Sequence, residues 1–404
     1  MNIEAPRGDQ ASDLVDRLKY VSPDQMSAAH LNEAQLAEHP WSDTVWPIAK
    51  GIVAWRFEDP AFPSSYDWKE NADYVTSHSC SVDQLSPAEK YDLLVGDTTQ
   101  SLTHAMLKTG QTYYEESGSV ASWMGICHGW SPASYMVPRP AKAVEFLAAD
   151  GRTKIRFVPS DIKALTSLLW ANGNFKNKFI GARCNNPKPL TDTHGRITDP
   201  SCYGENPGTW HLVVVNQIGV AKRSFVMDAL HDTEIWNQPI YSYSYTYFNP
   251  ETKEPVAKLE QAKIAMAAFT SDKFKSYRSA KGKSVVGIAM DLTYVAETEP
   301  SSSLTDSPKN DSMVTVHYLY DMELDASGKI IGGEWYSTAH PGFLWTPTPD
   351  AKAVSYQDAA LSGTWNGVTQ VPSGWRDSII AASKNSQPVA RIVNTIDILS
   401  ALSL

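Results

Sequence analysis

A cysteine flanked by two glycines gives the clearest chemical signal in this sequence. Cys127 lies in the segment Gly125-Ile-Cys-His-Gly129, and Ser131-Pro132 follows with the residue types that cap and begin a helix. The glycines predict a tight turn that presents the thiol at or just before the N-terminus of this short helix. Because a helix N-terminus stabilises a thiolate, the position suits a nucleophile. The alternative is a small apolar residue in the core.

A thiolate nucleophile requires a general base and a group that orients the base. His211 begins the run His-Leu-Val-Val-Val, and Asp228 ends the run Ser-Phe-Val-Met-Asp. We predict strands at 210–215 and 224–227, joined by a hairpin connection, so that both side chains lie at one end of an antiparallel pair. His211 as base and Asp228 as its orienting group then complete a Cys-His-Asp triad. The structural alternatives are a histidine bound to the backbone and a loop carboxylate.

Two other histidines are weaker candidates for the base. His128 adjoins the cysteine, but neighbouring side chains diverge on a helix or a strand, so a supporting or solvent-facing position is expected. His317 is the second choice, with Asp321 or Asp291 as its orienting group, although a histidine within a strand is more often a core residue. Ala121 occupies the place of the glutamine that papain-type enzymes carry before the nucleophile. The second oxyanion donor is therefore unassigned.

The helices that position these residues follow from local patterns. Ser86 caps a helix that begins at Pro87, and residues 102–107 form another that stops at Gly110. Ser160-Asp161 caps a third. The tail from Trp375 is also helical and amphipathic.

Strand patterns dominate the second half of the chain. Residues 142–158 predict a hairpin with Asp150-Gly151 at its turn. Later segments rich in β-branched and aromatic residues predict further strands at 210–215, 224–227, 285–295, 314–324 and 329–336. Helices first, then strands, then a helical tail predict an α+β fold.

Composition narrows the function. The chain has 404 residues, 42% of them apolar, and a net charge of −10. Because no basic run is longer than a dipeptide, a nucleic-acid partner is not expected. No stretch approaches the about 18 to 20 apolar residues of a membrane span, and the N-terminus has no apolar signal segment. A globular enzyme is the class that these properties favour.

The remaining cysteines and carboxylates suggest structural roles. Cys184 and Cys202 flank a loop that is rich in turn-forming residues and poor in apolar ones. A disulfide there would stabilise the fold by about 3 kcal/mol and would indicate an oxidising compartment; two free thiols are the alternative. The segment Asp321–Gly328 superficially resembles a calcium loop but lacks the full ligand spacing. A hairpin turn at Asp325–Gly328 is favoured, and no metal site is assigned.

Several blocks of the chain resemble the secreted transglutaminases of plant-pathogenic oomycetes and their bacterial relatives. Trp236-Asn237-Gln238-Pro239 matches the centre of that family's surface elicitor peptide. The segment Gly125–Trp130 is similar to the family's active-site cysteine region. Two further blocks, at 85–94 and 332–341, agree in order. The chain departs after the tetrapeptide, where the tyrosine run 241–247 replaces the basic tail of the elicitor peptide.

The resemblance implies a papain-like core, a thiol nucleophile at Cys127, acyl transfer stimulated by calcium, and secretion. The sequence itself requires no cofactor, so Ca²⁺ enters through the resemblance alone. We therefore expect a papain-like catalytic core with an antiparallel sheet at 85–345, between helical regions at 1–84 and 346–404. The expected location is secreted or periplasmic.

We expect a protein-glutamine γ-glutamyltransferase that joins glutamine and lysine of protein or peptide substrates through a thioester at Cys127. Trp123, Trp130 and Trp236 are expected to line a tunnel that excludes water, because water would hydrolyse the thioester. Three alternatives stay open. They are a papain-like cysteine protease or amidase, an enzyme that exchanges or cuts cell-wall peptides, and a non-catalytic recognition or adhesion protein that binds through an exposed aromatic segment at 236–247.

Overall fold

The computed structural model describes residues 9–230, 233–337 and 339–401. In these residues the chain packs into two units that interleave along the sequence. The sheet unit takes its described residues from 1–40, 176–295 and 313–350, and the helical unit takes its own from 41–175, 296–312 and 351–404.

This division differs from the consecutive regions predicted at 1–84, 85–345 and 346–404. The chain leaves each unit and re-enters it later, and a pattern followed along the sequence does not reveal such returns. Within the described residues, no helix combines the length and the apolar character needed to cross a bilayer.

A largely antiparallel sheet forms the core of the sheet unit. Its elements are α1 (Pro23–Ala28), α7 (Pro207–Val214), α8 (Leu259–Ala262), β1 (Glu33–Gln35), β4 (Asn177–Gly181), β5 (Val226–Asp228), β6 (Asn237–Phe248), β7 (Pro255–Val256), β8 (Lys263–Ala265), β9 (Ser284–Ala296), β10 (Ser312–Leu324), β11 (Ile330–Gly332) and β12 (Phe343–Pro347). The main path through the sheet is β11-β10-β9-β6-β5-β12-β4, with β1 and β7 paired to β6 and β8 paired to β9. The strands predicted at 285–295 and 314–324 are confirmed as β9 and β10, whereas the one predicted at 329–336 is shorter.

Tyrosines and small polar residues alternate along β6. Tyr243 and Tyr245 are buried in the core, whereas Ser244 and Thr246 are exposed. This is the period of two that places successive side chains on opposite faces of a sheet. Because β6 lies between β5 and β9, the segment 236–247 is mostly an interior strand. The expectation of an exposed aromatic segment there was wrong.

The apolar run around His211 forms a helix and not the predicted strand. The Asn206 side chain caps α7 by accepting a hydrogen bond from Gly208 N at 2.9 Å, and the helix continues as a π-helix at Val215–Val220. Residues 210–219 are all buried. A run that is apolar on every face shows no period, so its β-branched residues do not distinguish a strand from a buried helix. The hairpin connection predicted after His211 is absent for the same reason.

The helical unit carries most of the helices. Its elements are α2 (Trp68–Ser77), α3 (Pro87–Val95), α4 (Ser101–Ser117), α5 (Cys127–Met136), α6 (Pro159–Asn172), α9 (Arg376–Ser383), α10 (Ala390–Ala401), β2 (Val144–Leu147) and β3 (Lys154–Phe157). The predicted start of α3 is confirmed, since Ser86 and Glu89 form a reciprocal capping box. The β2–β3 hairpin is also confirmed.

Gly110 does not end the second predicted helix. Helix α4 runs through it to Ser117. A Cβ atom at Gly110 would lie 2.1 Å from Nε1 of Trp68. The glycine therefore permits a close contact with α2. From the sequence alone, a glycine that ends a helix cannot be distinguished from one that permits a close contact between helices.

A disulfide joins Cys184 to Cys202 in the sheet unit. The loop between them carries Arg196, whose Nε donates to Glu334 at 2.8 Å in a buried ion pair. The disulfide confirms one of the two alternatives that the sequence left open. Among the described residues, neither Cys80 nor Cys127 forms a disulfide.

Replacing both Cys184 and Cys202 with serine is expected to lower the free energy of unfolding of the sheet unit by about 3 kcal/mol, because opening the loop increases the entropy of the unfolded chain. Urea unfolding followed by tryptophan fluorescence measures this change. Cys80→Ser, which leaves the disulfide intact, is the control. An unchanged unfolding midpoint in the double variant would contradict the prediction.

Candidate functional site

Cys127 is the first residue of helix α5, and its exposed fraction is 8%. The predicted position of the thiol at a helix N-terminus is therefore confirmed. Ser131 and Pro132, predicted as cap and first residue, lie inside the helix, and Ile126 occupies the cap position. The first N–H groups of a helix have no acceptor within it, and their partial positive charge favours a thiolate.

Backbone hydrogen bonds hold the segment that precedes Cys127. Ile126 N donates to Val45 O at 2.7 Å, and Ile48 N donates to Met124 O at 2.8 Å. Gly125 permits this close approach, because a Cβ atom there would lie 2.2 Å from Val45 O. The cysteine is thus placed by main-chain contacts on its N-terminal side.

Gly129 provides the second close contact of this segment. A Cβ atom at Gly129 would lie 2.1 Å from Ser167 O and 2.6 Å from the Cβ atom of Ala171, both in helix α6. Neither Gly125 nor Gly129 has a positive φ. The tight turn expected from the two glycines is therefore replaced by two close packing contacts, one on each side of Cys127.

The three tryptophans predicted to line the substrate site differ in exposure. Trp130 is fully buried, and its Nε1 donates to Trp41 O at 2.9 Å, so it packs the interior of the helical unit. Trp123 is half-buried in the helical unit. Trp236 is half-buried in the sheet unit, where its Nε1 donates to Glu234 at 3.1 Å. Of these three, Trp123 and Trp236 have surface that a substrate can contact.

His211 lies fully buried in the core of the sheet unit. Its Nδ1 is 2.7 Å from the hydroxyl of Tyr320, and its ring packs edge-on against Tyr245. Within the described residues, Nε2 has no hydrogen-bond partner. Burial lowers the pKa of His211 to about 3. The imidazole is therefore neutral at physiological pH.

Asp228 ends β5 and is also buried. Its Oδ1 accepts a hydrogen bond from Trp236 N at 3.1 Å, and its backbone carbonyl accepts one from Gly342 N at 3.2 Å. The group that contacts His211 Nδ1 is Tyr320. The structure therefore does not bring His211 and Asp228, the predicted base and its orienting group, into hydrogen-bond contact.

The second-choice histidine has a carboxylate partner. His317 on β10 places its Nδ1 2.7 Å from Oδ1 of Asp291 on β9, and both side chains are more than half exposed. Asp321, the other orienting group considered, binds Arg278 instead. His317 thus has the contact of an oriented base within the sheet unit. His128, beside the cysteine in the helical unit, is exposed as expected.

The acidic segment after Asp321 does not fit a calcium ion. The two carboxylate oxygens of Asp321 accept from Arg278 at 2.6 and 2.7 Å. Asp325 Oδ1 accepts from the N–H groups of Ser327 and Lys329, which confirms the hairpin turn. These oxygens bind protein donors, whereas calcium needs six to eight oxygen ligands around it. Among the described residues, no group of three or more His, Cys, Asp or Glu side chains is placed to hold a metal.

Comparison with known proteins decides the family. A model of the transglutaminase elicitor family matches residues 20–363. This chain belongs to that family. The crystal structure of the GP42 transglutaminase from Phytophthora sojae is similar over 95% of this chain and 94% of that chain, with a TM-score of 0.60 and 21% sequence identity. No curated protein matches the chain.

Membership of the transglutaminase elicitor family confirms the resemblance found in the sequence. The likeness to GP42 shows a shared fold of helices and antiparallel sheet, as the α+β prediction required. The papain-like description of the core stays a prediction. So do the roles of the individual site residues.

Sequence reasoning missed the residues that hold the segment around Cys127. Val45 and Ser167 contact that segment through backbone carbonyls, which every residue type has. Trp46, next to Val45, has a φ of +51°. This conformation is rare for a large side chain and is concentrated at functional sites. The amino-acid sequence does not reveal the backbone angle of a tryptophan, so no local pattern predicted the positive φ of Trp46.

Proposed function

We propose that this chain is a protein-glutamine γ-glutamyltransferase with Cys127 as its nucleophile. The thiolate attacks the side-chain carbonyl of a glutamine, the carbon–nitrogen bond breaks, and ammonia leaves with a proton from the protonated base. The ε-amine of a lysine then attacks the thioester and gives a proton to the base, and the isopeptide bond forms as the thiolate departs. The observation that carries the proposal is the position of Cys127 at the start of α5.

The base is proposed from the surroundings of each histidine. A base in this reaction must hold a proton in one step and release it in the next. The buried surroundings of His211 disfavour its cation, since no carboxylate contacts the ring among the described residues. His317 is exposed and bound to Asp291. These contacts favour the second-choice base over His211 with Asp228.

His317→Gln is therefore expected to lower kcat for amine incorporation by about 10²- to 10⁴-fold, the usual contribution of general acid–base catalysis. His211→Gln is expected to lower the melting temperature while kcat changes less than about tenfold. Steady-state kinetics and thermal unfolding of both variants measure these effects. The reverse pattern, with kcat lost in His211→Gln alone, would restore the triad first predicted.

The function is tested by incorporation of a labelled primary amine into a glutamine-containing protein, followed by mass spectrometry. Each reaction is run with added Ca²⁺ and with a chelator. Calcium stimulation is implied by the family resemblance alone, and the proposed reaction steps use no calcium ion. Incorporation that requires Cys127 would support the proposal. Labelled amine absent from every glutamine, with the protein folded, would overturn it.

The same experiment separates the alternative enzymes. A protease or amidase would form the same thioester and pass it to water, which gives deamidation or cleavage without amine incorporation. An enzyme of cell-wall peptides would act on those peptides and leave protein glutamines unchanged. The non-catalytic alternative was based on an exposed aromatic segment at 236–247. That segment is mostly an interior strand, so this alternative is less favoured.

We also propose that the protein works outside the cytoplasm. The Cys184–Cys202 disulfide supports this location, because disulfides persist in oxidising compartments. The proposed partners are proteins or peptides that offer glutamine and lysine side chains.

A further inference from the structure

We infer that Asp43 is a positioning residue for Cys127, because its carboxylate joins the two elements that hold the cysteine segment. The kinetic part of this inference rests on the proposed function. The structural part concerns the placement of the thiol and stands without it. All the residues involved belong to the helical unit.

The first of these elements is the segment 45–48, which lies on the N-terminal side of Cys127. Its Val45 carbonyl accepts from Ile126 N, and its Ile48 N–H donates to Met124 O. Between them, Trp46 is fully buried with a positive φ. Such a conformation persists where surrounding contacts hold it. The indole Nε1 of Trp46 donates to Asp43 Oδ2 at 2.7 Å, and that hydrogen bond is such a contact.

The second element is helix α6, which packs against α5 at Gly129. The glycine lies against the backbone carbonyl of Ser167. The hydroxyl of this same Ser167 donates to Asp43 Oδ2 at 3.3 Å. One carboxylate oxygen therefore accepts hydrogen bonds from both elements, and the cysteine segment lies between them.

Asp43 is itself firmly placed. Its exposed fraction is 3%, and its backbone carbonyl accepts from Thr298 N at 3.0 Å. The neighbouring Lys163 donates to Ser42 O at 2.7 Å and pairs with Asp306 at 2.9 Å. Lys163 is the charged group whose field favours the ionised form of Asp43, but burial outweighs it and raises the pKa of Asp43 to about 7. A small change in the position of a reacting group can lower the rate by about 100-fold. The hydrogen bonds of Asp43 to the segment 45–48 and to α6 therefore matter for catalysis.

The test uses two single-contact variants and one double-contact variant. Trp46→Phe removes the indole donor, Ser167→Ala removes the hydroxyl donor, and Asp43→Ala removes the shared acceptor. Asp397→Asn is the matched control, since Asp397 is an equally buried carboxylate that binds the adjacent α6 residue Thr166 at 2.8 Å. Among the described residues its carboxylate has no hydrogen bond to the segment 45–48, so it reports the general effect of altering a buried acid.

Two quantities are measured in each variant. The first is the pKa of the Cys127 thiol, obtained from the pH dependence of its alkylation and mapped by mass spectrometry to separate it from Cys80. Trp46→Phe and Ser167→Ala keep the Asp43 carboxyl group in place, and each is expected to shift this thiol pKa by about half a unit or more, because displacement of the cysteine segment changes the burial and the polar surroundings of the thiol. The second is kcat for amine incorporation, expected to fall about tenfold or more in Asp43→Ala with KM within about twofold.

Asp397→Asn is expected to leave both quantities at the wild-type values. Equal shifts in the control and in the three variants would show a general loss of stability and would overturn the inference. An unchanged thiol pKa in both single-contact variants would also overturn the inference. These two variants provide the test if Asp43→Ala does not fold. The thiol pKa needs no turnover, so it tests the inference even if amine incorporation fails.

Discussion

Cys127→Ser is expected to abolish amine incorporation, with kcat/KM reduced by at least about 10³-fold. The substitution keeps the size of the side chain and the start of α5, so the fold is expected to persist. A serine hydroxyl at this position lacks the low pKa that makes a thiol an effective nucleophile, and the thioester does not form. The loss is therefore a loss of chemistry and not of structure.

Cys80→Ser is the matched control for this variant. Cys80, like Cys127, takes no part in the disulfide of the described chain, and it lies in the same unit, half-buried. Its replacement is expected to leave amine incorporation within about twofold of wild type, since it takes no part in the proposed reaction. Circular dichroism is used to check that both variants are folded. Full activity in Cys127→Ser would overturn the mechanism, and equal loss in both variants would point to an effect on folding.

Gly129→Ala is expected to destabilise the helical unit by roughly 3 kcal/mol or more, although it adds one methyl group. That methyl group would lie 2.1 Å from a backbone carbonyl and 2.6 Å from a second Cβ atom, both in α6. Neither atom belongs to a flexible side chain that can turn aside, so α5 must shift relative to α6. Because α5 begins at Cys127, activity is expected to fall as well.

Gly374→Ala provides the comparison, because no atom lies within 4 Å of a Cβ at that position and its φ is not positive. Its effect on the free energy of unfolding is expected to stay within about 0.5 kcal/mol, as for an ordinary surface substitution. Thermal and urea unfolding of the two variants measure the difference. Similar stabilities would show that α5 and α6 separate easily and would remove the packing role of Gly129.

Local signals predicted much of the fold. The capping box at Ser86 and the Asp150-Gly151 turn satisfy backbone groups within a few residues, so the sequence alone reveals them. The long strands β9 and β10 have the composition of strands and were found for that reason. The run around His211 was misassigned because it is buried on all sides, and burial by distant parts of the chain is not visible in a short window.

The site shows the same limit. Cys127 was found because its flanking glycines and its nearby helix signal lie in one short segment. Asp43 was missed, since its partner Ser167 is distant in sequence and a lone aspartate has many explanations. The carboxylate contact of His317 depends on the pairing of two strands, and no local pattern decided between Asp291 and Asp321.

The placement of the tetrapeptide Trp236–Pro239 has a consequence for immunochemistry. Its residues Asn237 to Pro239 pair with Asp228 to Val226 across the sheet, and the side chains of Asn237 and Gln238 are 4% and 3% exposed. An antibody raised against this linear peptide needs those side chains within its binding site. It would therefore bind the denatured or proteolysed chain in preference to the intact one, and its signal would report damage to the protein rather than its abundance.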